Sequence, residues 1–305
     1  MAKDIIKVKN LVKKYGSLTA VNSISFDVMR GEIFGLLGEN GAGKTTTLEM
    51  IEGLRKPTAG KISVLDCDII EHADAVKERI GVQLQSSAYY QFLTLKEILD
   101  LFGGFYQKCL DPMELLEMVD LKEKANSYVG NLSGGQKQRF SIVASLVNDP
   151  EIVFLDEPTT GLDPLARRNL WDLISKIKSQ GKTIILTTHY MEEAEVLCDR
   201  IAIMERGKVL AMDDTHKLMN QAEFPYTINF VKEDVSDAII KKLEKLGKVE
   251  NLFGKNNHFI IKMREKKFSD EAIKIVEALD PETVTSGRAT LEDLFIELTG
   301  KRVEE

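Results

Sequence analysis

The sequence predicts an α/β protein: a mixed, largely parallel sheet with an antiparallel β part at its N-terminus, a helical insertion, and a small C-terminal α+β domain. Three observations predict it. Short apolar runs alternate with helix-periodic segments through most of the chain. Between about 89 and 148 the periodicity becomes helical throughout, and near 225 a fresh series of strand and helix signals begins.

Residues 5–9 and 24–30 alternate apolar and polar side chains, the mark of half-buried strands. The run Ile33-Phe34-Gly35-Leu36-Leu37 is apolar throughout and suits a central strand covered on both faces. A glycine-rich loop follows, and then Thr45 to Leu54 reads as a helix. Ile152 to Leu155 and Thr183 to Thr187 are two more buried strands, each leading into a helical segment at 164–180 or 190–197. In the insertion, Leu95, Ile98, Leu99 and Phe102 recur at helical spacing, as do Leu115, Leu116 and Val119, then Phe140, Val143, Ala144 and Val147. Towards the C-terminus, strands at 226–231 and 257–263 and helices at 236–246, 269–279 and 290–299 complete the series. The expected organisation is therefore one domain over 1–220, with its core at 1–88 and 149–220 and a helical subdomain at 89–148, plus an accessory domain over 225–305.

Bulk properties bound the function. The chain has 305 residues, 43% hydrophobic and 29% charged, the profile of a soluble globular protein. A net charge of −7, and a tail from residue 221 with no basic excess, argue against a nucleic-acid partner. Cys67, Cys109 and Cys198 are isolated thiols without metal-ligand spacing, as in a reducing compartment. No apolar run approaches the roughly 20 residues that span a bilayer, so a membrane role needs a separate partner and the chain itself is expected in the cytoplasm.

Gly38-Glu39-Asn40-Gly41-Ala42-Gly43-Lys44-Thr45 fits the G-x-x-x-x-G-K-[ST] phosphate loop and implies a P-loop nucleoside-triphosphatase core. Glycines let the backbone turn so that its N–H groups converge on phosphate, and the following helix adds its positive end. Lys44 can bridge the β- and γ-phosphates, Thr45 can place its hydroxyl on Mg²⁺, and Thr46 continues the loop into the helix. A glycine-rich turn with a solvated lysine is the plain alternative, but the strand before and helix after are what the loop requires. The buried run Ile152 to Leu155 leads into Asp156-Glu157-Pro158, an acidic pair at the carboxyl end of a parallel strand, where α/β sheets bind ligands. Asp156 is placed for the metal shell, and Glu157 for polarising a water against the γ-phosphate.

Leu132-Ser133-Gly134-Gly135-Gln136 opens a helical pattern. Read locally, Ser133 and Gln136 form a capping box, while Gly134 and Gly135 leave a bare backbone that another surface can approach. With this motif the chain resembles the ATP-binding subunits of ABC transporters, over about residues 5–215. The resemblance implies ATP and Mg²⁺ as ligands, and roles for further residues. Tyr15 would stack on adenine, and Gln85, with Gln83 as its rival, would sense Mg²⁺ and the membrane partner. Asp163, also a sound N-cap before Pro164, would lie in the loop that crosses between protomers, and His189 would contact the γ-phosphate. It further implies that the signature of one copy closes over the phosphate loop of another, head to tail, and that a separate transmembrane permease carries the cargo. The segment Tyr190 to Glu195 and the tail Ala289 to Gly300 resemble exporters of the drug-resistance type. A drug, lipid or other amphipathic cargo is then expected, with the chain peripheral on the inner face of the cell membrane. A cassette acting on a ribosome or DNA is the alternative; a single phosphate loop and the lack of long heptad coils weigh against it.

Overall fold

The computed structural model describes residues 3–83, 89–251 and 257–300, and the chain divides into two compact units, 1–213 and 214–305.

The first unit opens with a hairpin of β1 (Asp4–Tyr15) and β2 (Leu18–Met29), followed by β3 (Ile33–Leu37) and α1 (Lys44–Ile51). Next come β4 (Ala59–Val64), β5 (Cys67–Asp68), α2 (Ala73–Lys77) and β6 (Ile80–Gln83). The helical insertion holds α3 (Leu95–Gly103), α4 (Pro112–Met118) and α5 (Gly134–Ala144). The chain then returns through β7 (Ile152–Asp156), α6 (Pro164–Ser179), β8 (Thr183–Thr188), α7 (Met191–Leu197), β9 (Arg200–Glu205) and β10 (Lys208–Asp214).

Two sheets result. The N-terminal one, in order β2-β1-β4-β5, is antiparallel at each of its pairings. The second, in order β10-β9-β3-β8-β7-β6, is parallel from β9 through β6. Every residue of β3, β7 and β8 is buried, as central parallel strands covered on both faces require. Helix α6 buries Leu170, Leu173, Ile174 and Ile177, at the three- and four-residue spacing of one helical face. Each such side chain contributes about 2 kcal/mol by leaving water.

The second unit contains α8 (Thr215–Asn220), β11 (Tyr226–Val231), α9 (Asp237–Leu243), β12 (Lys248–Asn251), β13 (His258–Met263), α10 (Lys266–Glu277), β14 (Thr283–Arg288) and α11 (Leu291–Thr299). Its sheet, β12-β13-β11-β14, is antiparallel and follows a split β-α-β-β-α-β order. Ile228, Phe230, Ile261, Met263, Ala272 and Val276 make a core of its own. Thr290 and Asp293 cap α11 reciprocally.

Candidate active site

The carboxyl ends of β3, β7 and β8 bring three sequence-distant segments together. Phe34, Gly35 and Leu36 pair with Ile185, Leu186 and Thr187, and Leu155 and Asp156 pair with Leu186 and Thr187, so the three strands end nearly level. The loop after β3 carries Gly38 to Lys44, Asp156 closes β7 with Glu157 just beyond it, and His189 follows Thr188 at the end of β8.

The phosphate loop is built by its glycines. A Cβ on Gly38 would stand 2.3 Å from the Met204 carbonyl oxygen, and Gly43 sits at φ 99 with the Ala20 carbonyl 2.5 Å from a Cβ. Gly41 lies at φ 82, again in left-handed backbone that disfavours a side chain. Between them Ala42 is buried, Glu39 half-buried and Asn40 exposed. Lys44 is only 4% exposed, and its ammonium donates to the carbonyls of Gly38 at 2.8 Å and Glu39 at 3.2 Å. It also lies 3.3 Å from Glu157 Oε1. Burial pulls the Lys44 pKa down, with Glu157 and Asp156 opposing. An ammonium held largely by backbone carbonyls is a group that phosphate oxygens can draw away, so the loop fits a nucleoside triphosphate.

Glu157 is the meeting point. Its carboxylate pairs with Lys44, accepts from Thr160 Oγ1 at 3.2 Å, and has His189 Nδ1 3.3 Å from Oε2. Burial pushes its pKa up, but Lys44 and His189 outweigh that and leave it below the ordinary carboxylate range. The residue sits at φ 47, and its N–H donates to Thr187 Oγ1 at 3.0 Å, which holds this left-handed turn.

Asp156 faces the other way along the strand. It accepts from Thr187 Oγ1 and, at 3.1 Å, from Thr45 Oγ1. Burial raises its pKa, while the two hydroxyls lower it. A divalent cation beside Thr45 and Asp156 would relieve that burial penalty, so these two oxygens fit Mg²⁺. Thr46 is half-buried one residue further along α1.

The other expected residues lie on further elements of the first unit. Tyr15, 40% exposed at the end of β1, has Lys13 5.2 Å and Arg55 5.4 Å from its ring centroid. Gln83 is buried at the end of β6, opposite Leu155, and its rival Gln85 lies outside the described residues. Asp163 caps α6, accepting from the Ala166 N–H at 2.8 Å. Ser133 accepts from the Gln136 N–H at 3.3 Å, and Gln136 accepts from the Ser133 N–H at 3.1 Å, which is the expected capping box at the start of α5. Among the described residues no hydrogen bond or ion pair joins residues 133–136 to the phosphate loop.

Three neighbours of the site escaped the sequence reading. Arg55, beside Tyr15, is ion-paired to Glu49. Thr187 bridges Asp156 and Glu157 from an adjacent strand, a role only strand register reveals. Glu193 is fully buried on α7, and its spacing beside Ala194 and Leu197 on one helical face was the available signal.

Comparison with known proteins agrees with this geometry. Residues 21–160 match the family model described as ABC transporter. The chain is 36% identical over 317 residues to the Nod factor export ATP-binding protein I of Burkholderia orbicola, covering 98% of each chain. It is also 36% identical to the protein of that name from Rhizobium sp. strain N33, over 100% of both. A solved ATP-binding subunit of an ABC transporter, 32% identical, superposes with a TM-score of 0.65 over 71% of this chain and 92% of that one. A dimeric post-hydrolysis structure of the ATP-binding cassette MJ0796, bound to ADP and Pi, is 28% identical with a TM-score of 0.62, over 68% of this chain and 98% of that one. A phosphate loop under two buried carboxylates, a glycine-bearing helix start, and similarity along the whole length converge: the chain belongs to the ABC transporter family, as an ATP-binding subunit that hydrolyses ATP.

Proposed function

We propose that this chain powers a membrane exporter, and that it works as a head-to-tail pair with each ATP held between the phosphate loop of one copy and the signature helix of the other. The observation that carries the reading is at Gly134. It is exposed, its φ is ordinary, and a Cβ there would meet nothing within 4 Å. The chain's own packing does not require glycine at this helix start, whereas a surface arriving from outside would. Dimeric cassettes among the similar structures favour pairing of two copies.

In this reading Tyr15 stacks on adenine, and residues 38–46 wrap the phosphates with backbone N–H groups. Lys44 exchanges the carbonyls of Gly38 and Glu39 for phosphate oxygens. Thr45 and Asp156 hold Mg²⁺, with Gln85 or Gln83 as a further ligand; the ion, when bound, neutralises charge on the phosphates. Glu157, kept ionised by Lys44 and His189, orients water and takes its proton. His189 turns from Glu157 to the γ-phosphate, and Asp163 lies at the seam between copies. Ser133, Gly134, Gly135 and Gln136 of the second copy supply a helix tip to the same γ-phosphate. Losing that phosphate removes the shared ligand and lets the pair open.

A permease partner is part of the proposal, since no helix among the described residues is long and apolar enough to cross a membrane. A cleft of about 450 Å³, lined by Leu54, Val82, Tyr89, Phe102 and Phe105, supplies an aromatic surface for it. The full-length similarity to proteins named for Nod factor export favours an exporter of a lipid, drug or other amphipathic compound over a ribosome- or DNA-bound cassette. The test is Glu157→Gln with MgATP on a sizing column. A dimer that persists is expected, and an ATP-loaded variant that elutes as a monomer would overturn the pairing. Purifying the native complex identifies the membrane subunit and, through it, the cargo.

A further inference from the structure

Behind His189 lies a buried polar cluster that phosphate chemistry does not use. Glu193 is fully buried and accepts from the Trp171 indole N–H of α6 at 3.2 Å. The buried hydroxyl of Thr188 and the charge of Arg167 act on the same carboxyl, with the buried hydroxyl of Thr159 beside it. Thr159 Oγ1, Arg167 Nε and the second oxygen of Glu193 complete no hydrogen bond among the described residues. A buried polar atom without a hydrogen bond is costly to keep, so three of them together call for a reason.

The connectivity supplies one. Thr188 immediately precedes His189, Thr159 follows Glu157 by two residues, and Trp171 lies on the helix that Asp163 caps. We propose that Glu193 is a positioning residue, tying the strand end that carries His189 and the turn that carries Glu157 to helix α6. It thereby fixes the 3.3 Å approach of His189 to Glu157. Glu157 needs such support because its φ of 47 is left-handed backbone that a non-glycine residue keeps only when its surroundings hold it. Glutamine is the conservative replacement, since its oxygen still accepts from Trp171 and its amide can donate to Thr159.

The inference rests on the proposed roles of Glu157 and His189, and a parallel Glu157→Gln measurement keeps the two separable: wild-type turnover there refutes those roles whatever Glu193 does. In the full chain, Glu193→Ala is expected to lower kcat about tenfold with ATP affinity within twofold of wild type, and Glu193→Gln to retain kcat within threefold. Wild-type kcat in Glu193→Ala, or equal losses of kcat and affinity in both variants, overturns the idea. Should Glu193→Ala fail to fold, Trp171→Phe decides by deleting only the indole N–H from the contact: a kcat about threefold lower at unchanged ATP affinity supports the tie, and unchanged kcat overturns it.

Discussion

Two helix starts in the first unit carry glycines, and they carry them for opposite reasons. At α1 the glycines are demanded from within: Gly38 and Gly43 lie against the carbonyls of Met204 and Ala20, and Gly41 and Gly43 hold left-handed φ. At α5 they are not: Gly134 faces open space, and a Cβ on Gly135 would meet only the Ala166 methyl at 3.3 Å. The first loop is a finished cradle whose lysine is already buried. The second is a capped helix tip with an unused face. The difference teaches that internal packing fixes the glycines of the first helix start and leaves those of the second free, which is the feature the proposed pairing uses.

The sharpest test of the finished half is Glu157→Gln. Removing the group proposed to take the proton from water is expected to lower steady-state hydrolysis about 100-fold or more, measured as phosphate release, with ATP binding retained. Next comes a matched pair aimed at the contrast itself. Gly43→Ala must push against the Ala20 carbonyl in strained backbone, so its melting temperature and its ATP binding should both fall, by roughly 2–4 kcal/mol in stability. Gly134→Ala should leave stability within about 1 kcal/mol of wild type and ATP binding by the monomer unchanged, yet slow turnover about tenfold. A Gly134→Ala protein that hydrolyses at the wild-type rate would break the contrast.

A third measurement probes a charge beneath α1 rather than the loop. Glu52 is 2% exposed, and burial, then Asp156 and Glu49, push its carboxyl up to about 8. The native state therefore holds a proton that the unfolded chain releases near pH 4.5. That contribution is fully present below the unfolded value and is lost as pH rises through the folded one. Chemical denaturation at pH 5 and pH 9 should show wild type losing about 4 kcal/mol more than Glu52→Gln over that interval. The smallest effect is expected at the second helix: Ser133→Ala removes a cap worth about 1 kcal/mol, read as a modest drop in melting temperature.

Legibility differed in the same way across the fold. The buried strands at 33–37, 152–155 and 183–187 were plain because a strand covered on both faces must be apolar throughout. The first hairpin was found only in part, at 5–9 and 24–30, because register shifts between Val8 and Val12 break the two-residue alternation that marks a strand. Strands β12 and β14 were missed altogether: both are sheet edges, and Thr283–Arg288 is exposed at all but one residue, so no apolar pattern announces it. In the site, Gly38 to Thr45, Asp156 and Glu157 were legible as contiguous motifs, whereas Thr187 and Glu193 act through partners far away in sequence.

The sequence by itself determined the chemistry that short segments encode: a loop whose glycines can turn on phosphate, an acidic pair at a strand end, and a capped helix start. Those depend on local backbone freedom and residue type, which neighbouring positions specify. Only the tertiary structure decided that Glu157 meets both Lys44 and His189, and that Glu193 sits behind them. It also decided that the glycines of one helix start are bound by their surroundings while those of the other are not. These outcomes depend on strand register and on what packs across the sheet, and no stretch of sequence read in isolation contains either.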